Sequence, residues 1–287
     1  MDDKRVRIGC SGYPVERRQY QSLLGFVELQ DTRRQLPKLD KFSRIKMSAP
    51  PGFEFAIVAP EALSDPEQAE GLPGDPRGYG ALRPSPENID LLNRTLAGAQ
   101  RLDAVVRLHT TSDLGAGPDA FDRFRALLAA VERRDVRLAW ESRGPLTAQE
   151  VIRWSEQLDL IPVVDPFQDD PPPGPVGYIH LHPLITLSGA LNAEHYLRLL
   201  ERAMRHEETY LVFDTPHAFR DAVALRRLLR GEAGALDEQA PPAGRTEAAS
   251  EADDEDPGPD ADDEDPAPDA DDEDTTPDAG DEPASEP

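Results

Sequence analysis

Among 287 residues the chain has a single cysteine, Cys10, which excludes an intrachain disulfide and any cysteine metal cage. No apolar run is long enough to cross a bilayer, and the opening residues carry no secretory-type apolar segment. The expectation is a cytoplasmic protein with no membrane partner. Glycine-rich phosphate loops and dinucleotide fingerprints are also missing, so the sequence names no cofactor. Basic charge is scarce: 31 Lys and Arg stand against 56 Asp and Glu, a formal net charge of −25. Nucleic-acid affinity comes largely from clustered cations that replace counterions, so no nucleic-acid partner is expected.

The acidic excess is local. Residues 247–287 hold 20 acidic and no basic side chains, leaving 36 acids against 31 bases in the rest of the chain. A nine-residue unit recurs there as EADDEDPGP, DADDEDPAP and DADDEDTTP, with almost nothing apolar to offset the entropy of ordering. Two regions are therefore expected, a folded domain over 1–235 and a disordered, acidic, low-complexity tail over 236–287. Solvation and colloidal stability account for such a tail; its functional alternative is docking of a basic protein partner.

Ahead of the tail lie eight short apolar runs, at 6–11, 26–30, 53–58, 104–109, 137–141, 161–165, 178–182 and 209–214, and all but the third end in a polar residue. Strand side chains alternate between faces. Glu28 thus shares a face with Gln30, Arg107 with His109, Glu141 with Arg143, and His180 with His182. Val27, Leu29, Val106, Leu108, Leu138, Trp140, Ile179 and Leu181 take the opposite face. Between the runs, apolar residues recur three and four apart at 89–102, 121–131, 147–158, 192–205 and 218–229, the period of amphipathic helices. Shorter helices suit 15–24 and 39–47, and Thr147 with Glu150 has capping-box spacing. Alternating strand and helix implies a parallel sheet, and eight repeats suggest an α/β fold closed as a TIM-barrel-like (β/α)8. Five prolines between Asp165 and Tyr178 exclude a normal helix from the sixth crossover. The breaker-rich stretch 65–84 reads as a surface loop on the rim, with a lid as the alternative.

From Ile8-Gly9-Cys10-Ser11-Gly12-Tyr13 onward the chain resembles a divergent member of the YecE-like family, domain of unknown function 72, whose members usually read Ile-Gly-Thr-Ser-Gly-Trp. Val27-Glu28-Leu29 with Thr32 and Pro37, the segment 51–60, Glu141-Ser142-Arg143, Asp165, Tyr178-Ile179-His180-Leu181-His182 and Phe213-Asp214-Thr215 follow in the family's order. The resemblance spans about residues 6–230 and implies a TIM-type barrel without implying a reaction. Gln30, Arg33-Arg34, Val58, His180 and Asp214 stand where the family has Asn, Phe-Tyr, Lys, Arg and Asn.

In such barrels the carboxyl ends of the strands converge on one mouth, which makes Glu28, Glu141, Asp165, His182 and Asp214 the candidate catalytic residues. Ser11, Tyr13, Arg143 and His180 are the candidate substrate-binding residues. Crowded carboxylates raise one another's pKa while Arg143 lowers them, so the cluster can hold one acid and one carboxylate for acid-base work. The bland alternative is an ion-pair network of Glu28, Glu141, Arg107 and Arg143 that fills the barrel. His180 and His182, two apart on a strand, also suit zinc or manganese, with Asp165, Asp214 or Glu141 completing the site; ordinary hydrogen-bonded histidines are the simpler reading. Cys10 lacks nucleophile-elbow spacing and is set aside. Three functions follow: an acid-base hydrolase or isomerase acting on a small-molecule ligand, a noncatalytic binding or scaffold protein, and a divalent-metal-dependent hydrolase.

Overall fold

Period-two alternation requires each strand to have two different surroundings, and the computed structural model supplies them. It describes residues 6–110, 119–182 and 191–232. All of these belong to the unit Met1–Pro241, so the expected acidic tail lies outside the described residues. The strands are β1 (Val6–Ser11), β2 (Phe26–Leu29), β3 (Glu54–Val58), β4 (Ala104–Thr110), β5 (Leu138–Ser142), β6 (Ile161–Val164), β7 (Val176–Leu181) and β8 (Glu208–Phe213). They pair in parallel, in chain order, and β8 returns to β1 to close the barrel. The outward set predicted from alternation, Val27, Val106, Leu108, Leu138, Trp140, Ile179 and Leu181, is buried under the helices, with Leu29 packed at its edge. A second apolar cluster, of Phe26, Ala56, Val105, Ala139, Tyr178, Tyr210 and Val212, fills the lumen.

Seven helices are present among the described residues: α1 (Arg17–Leu23), α2 (Leu39–Ser48), α3 (Pro86–Leu102), α4 (Ala120–Ala130), α5 (Ala148–Leu158), α6 (Ala193–Ala203) and α7 (Ala218–Leu229). The capping box of Thr147 and Glu150 starts α5, and Asn192 with His195 does the same for α6. Ser85 caps α3 ahead of Pro86, whose missing N–H costs nothing in the first turn. No helix connects β6 to β7, as the prolines require. Pro162 also sits within β6, which has only two registered partners on each side. None of the described helices is long and apolar enough to cross a membrane.

The stretch 65–84, expected to be a surface loop on the rim, carries short 3-10 turns. They lie at Pro66–Ala69 and Pro76–Gly78, and a further one at Glu61–Leu63 leads into the stretch. Its buried residues Ala69, Tyr79 and Leu82, with Leu63 just before them, join the outer core. Asn88 of α3 donates to the carbonyls of Gly80 and Arg83. The prolines and glycines set tight turns, and the few apolar residues between them anchor those turns.

At the other end of the barrel, Arg7 pairs with Glu54 and Glu208, Arg137 pairs with Glu208, and the Arg7 guanidinium lies 5.1 Å from the Tyr210 ring centroid. Gly9 of β1 fits the wall closely: a Cβ there would come within 2.2 Å of the Phe26 carbonyl oxygen on β2. The obstacle is backbone, which cannot turn away. Replacing Gly9 by Ala should therefore cost about 2–3 kcal/mol by overpacking. Urea unfolding of the variant checks this, and an unchanged midpoint would show that β1 and β2 can separate freely.

Candidate functional site

Register decides how high each inward side chain stands in the barrel. Ser11 pairs with Glu28, Val58 with Arg107, His109 with Glu141, and His180 with Val212. This places Glu28 and Arg107 above the apolar plug, with Glu141, Arg143 and His182 nearer the mouth. Glu28 and His180 are fully buried, and Arg107 and Glu141 nearly so.

Arg107 is the hub. Its Nε donates to Glu28 Oε2 at 2.7 Å and its Nη2 to Glu28 Oε1 at 3.1 Å, while Nη1 donates to Glu141 Oε2. One planar guanidinium on β4 thus joins β2 to β5, using the fork geometry that suits Arg to carboxylates. Glu28 also accepts from the Tyr178 hydroxyl and from Gln30 Nε2 at 2.6 Å, and its Oε1 lies 3.3 Å from His180 Nε2. Glu141 Oε1 accepts from Arg143 Nε at 2.7 Å and lies 3.2 Å from His182 Nε2.

Burial pushes both carboxyls upward, but their partners prevail. Arg107, and after it His180, hold Glu28 far below the usual carboxylate range. The hydrogen bond from His182 and the charge of Arg107 do the same for Glu141. Burial works to lower the Arg107 pKa, yet the two glutamates raise it above its ordinary value. Desolvation lifts the Tyr178 phenol well above its normal pKa, so it stays a neutral donor. The structure therefore differs from the expectation of one acid and one carboxylate. Glu28 and Glu141 are both ionised, because the cations between them outweigh their mutual repulsion.

The other predicted residues divide by position. Asp214 follows β8 and its backbone N–H donates to the Leu181 carbonyl at 2.9 Å, bringing it beside the end of β7. One ligand atom from each of His180, His182 and Asp214 can be chosen so that all lie within 4.8 Å of one another. Asp165 sits on the same rim, but its Oδ1 accepts from the backbone N–H of Phe167 at 2.9 Å and its Oδ2 from Gln168 at 3.3 Å, capping the loop after β6. Ser11 ends β1 beside Glu28, and Gly12 N–H donates to the Glu28 carbonyl. Tyr13 packs edge-on against Tyr20 at 5.1 Å, under Arg17, with its ring on α1 instead of over the Glu28 network.

Four participants lie outside the candidate site residues, among them Arg107, which the sequence offers only as part of an ion-pair network. Gln30 is legible as sharing the Glu28 face and as a family departure, and Tyr178 reads as an apolar strand residue until the register sets its hydroxyl against Glu28. His109 is inward on β4, and burial lowers its pKa to about 4, reinforced by Arg143 and Arg107 against the opposing pull of Glu141. Neither of its ring nitrogens has a hydrogen-bond partner among the described residues.

A cavity of about 410 Å³ opens at this end, bordered by Glu141, Arg143, Val163, Asp165, Gln168 and His182 among others. A larger one, about 520 Å³, lies at the amino ends of β5 to β7, between Arg133–Leu138 and the 171–175 proline run. Of the network it borders only Tyr178 and none of the charged members. We place the site at the smaller cavity because converging ionised groups face it.

No family model and no curated protein matches the chain. Among solved structures it is similar to a DUF72 family protein from Enterococcus faecalis V583, with 13% identity and a TM-score of 0.57 over 79% of this chain and 98% of that one. A DUF72 family protein from Thermotoga maritima MSB8 gives 16% identity and a TM-score of 0.54, covering 79% and 99%. The likeness is one of fold: a TIM-barrel-like protein of the kind seen in domain of unknown function 72.

Removing one member of a buried ion network strands the others without a counter-charge, at a cost of about 3–5 kcal/mol. Arg107→Met should lose that much stability in urea unfolding. Adding Glu28→Gln and Glu141→Gln should recover a large part of it, whereas a single variant as stable as the parent would show that the carboxylates do not depend on Arg107.

Proposed function

We propose that this barrel, which shares the fold of domain of unknown function 72 proteins, binds a small anionic molecule at the carboxyl-end mouth through Arg143. The observation carrying this reading is the position of that side chain: tethered through Nε to Glu141, it remains 50% exposed and borders the 410 Å³ cavity. A guanidinium held at one nitrogen still has donors to offer, and its fork fits a carboxylate or phosphate. His182 stands beside it, with Nδ1 3.4 Å from Arg143 Nη2.

Hydrolysis or isomerisation is the reaction class that suits such a mouth, with the imidazole of His182, backed by Glu141, at the reacting end. Glu28 and Glu141, being ionised, orient their neighbours and do not serve as general acids. The saturation of Glu28 by Arg107, Tyr178, Gln30 and His180 favours one second reading, a binding barrel without catalysis. Both readings share the anion site.

Thermal melts of the full chain in the presence of EDTA test it, with sugar phosphates and 2-hydroxy carboxylates as probes and the neutral parent sugars as controls. A ligand at about 100 times its Kd adds about 2.7 kcal/mol to folding stability, a rise of several degrees. We expect that rise with an anionic probe and its loss in Arg143→Ala. Equal responses from neutral sugars, or an Arg143→Ala response like the parent's, would contradict the assignment.

A further inference from the structure

We propose that the mouth holds a divalent transition ion of the zinc or manganese type, with His180, His182 and Asp214 as its protein ligands. This deepens the reading above by supplying the reacting end, and it rests on that mouth being a site. His182 then acts as a ligand and not as a proton carrier.

The first support is convergence: two imidazoles and one carboxylate bring one ligand atom each within 4.8 Å of the others. Ligands around a tetrahedral ion at about 2.0–2.1 Å stand about 3.4 Å apart, so modest side-chain closure suffices. Two nitrogens and one oxygen suit a borderline first-row ion better than calcium or magnesium.

The second support is independent and concerns His180. Its Nε2 lies 3.3 Å from Glu28 Oε1, and that carboxyl group acts as an acceptor toward Arg107, Gln30 and Tyr178 as well, so Nε2 carries the proton. The lone pair is therefore on Nδ1, which is buried and has no hydrogen-bond partner among the described residues. His180 is 0% exposed, so bulk water does not satisfy that atom. A buried acceptor without a partner is costly, and a metal ion satisfies it.

His182 repeats the arrangement one pleat higher. Its Nε2 faces Glu141 at 3.2 Å, and the two histidine rings lie 4.3 Å apart at 35°. Each imidazole thus donates to its own carboxylate. That outer contact fixes the tautomer, orients the ring and raises its basicity as a ligand. The network described above as an orienting device is the second layer such a centre needs.

Arg143 is the competitor, because its Nη2 faces His182 Nδ1. Its bond to Glu141 is shorter, at 2.7 Å, and its side chain is half exposed. Loading an ion releases the weaker contact and turns the guanidinium toward the cavity. Arg107 and Arg143 balance Glu28 and Glu141, so the cation meets the remaining negative charge of Asp214.

The test uses the full chain, stripped with EDTA, dialysed, and titrated with Co2+ as the probe in a buffer free of small anionic ligands. We expect one equivalent to give the intense visible band of low-coordinate Co2+, displaced by Zn2+. His182→Gln and Asp214→Asn should each weaken that binding about tenfold or more. Carboxylates of the acidic stretch give only the faint spectrum of six-coordinate Co2+, which these variants leave unchanged. His180→Gln should abolish the band; circular dichroism checks its fold, and the other two variants carry the test if it unfolds. Absence of the intense band, or its persistence unchanged in His182→Gln and Asp214→Asn, overturns the proposal. No anion is present, so this result and the melting result can fail separately.

Discussion

A single guanidinium clamped between two buried carboxylates sets the geometry of this barrel's mouth. Arg107 reaches from β4 to Glu28 on β2 and Glu141 on β5, and through Glu28 the contacts extend to Tyr178 and His180 on β7. Below this tier the lumen is apolar and closed. Above it, Arg143, His180 and His182 each take their orientation from one of the two glutamates. Buried ion networks seldom add much net stability over well-packed apolar residues, but they are costly to break. The network is best understood as a device for fixing position.

That view separates two roles that a cluster of acids tends to merge. A carboxyl group poised for proton transfer needs a pKa near the working pH, whereas Glu28 and Glu141 are driven the other way by their cations. They are permanent acceptors. Each holds an imidazole by Nε2, and Glu141 additionally holds Arg143. The chemistry is thereby passed to the groups they orient, of which Arg143 and His182 border the cavity together with Glu141.

Much of this architecture was legible in the sequence. Alternation assigned Val106, Leu108 and Trp140 to the helix layer and Arg107, His109 and Glu141 to the lumen, and the structure has them so. The capping spacing of Thr147 and Glu150 and the proline block after β6 also read correctly. Height within the barrel was not legible, because it depends on register between strands that are distant in the chain. Glu28 and Asp165 look alike as polar strand ends, yet one is sealed at mid-lumen and the other caps a rim loop. Tyr178 was hidden for the same reason: its hydroxyl meets Glu28 across 150 residues of sequence. What anchors stretch 65–84 was hidden too, because composition marks turns but does not show which residues hold them.

The central claim is that Arg107 keeps both glutamates charged, so that they orient and do not donate. Its most direct measurement is a pH titration of the Glu28 and Glu141 side-chain carboxyl carbons by NMR, assigned through Glu→Gln variants. An unperturbed glutamate titrates near about 4.3. Both resonances are expected to keep ionised shifts as the pH falls through that value, for as long as the fold persists. A midpoint at or above it for either residue would mean that a proton is available in the lumen, and would contradict the account.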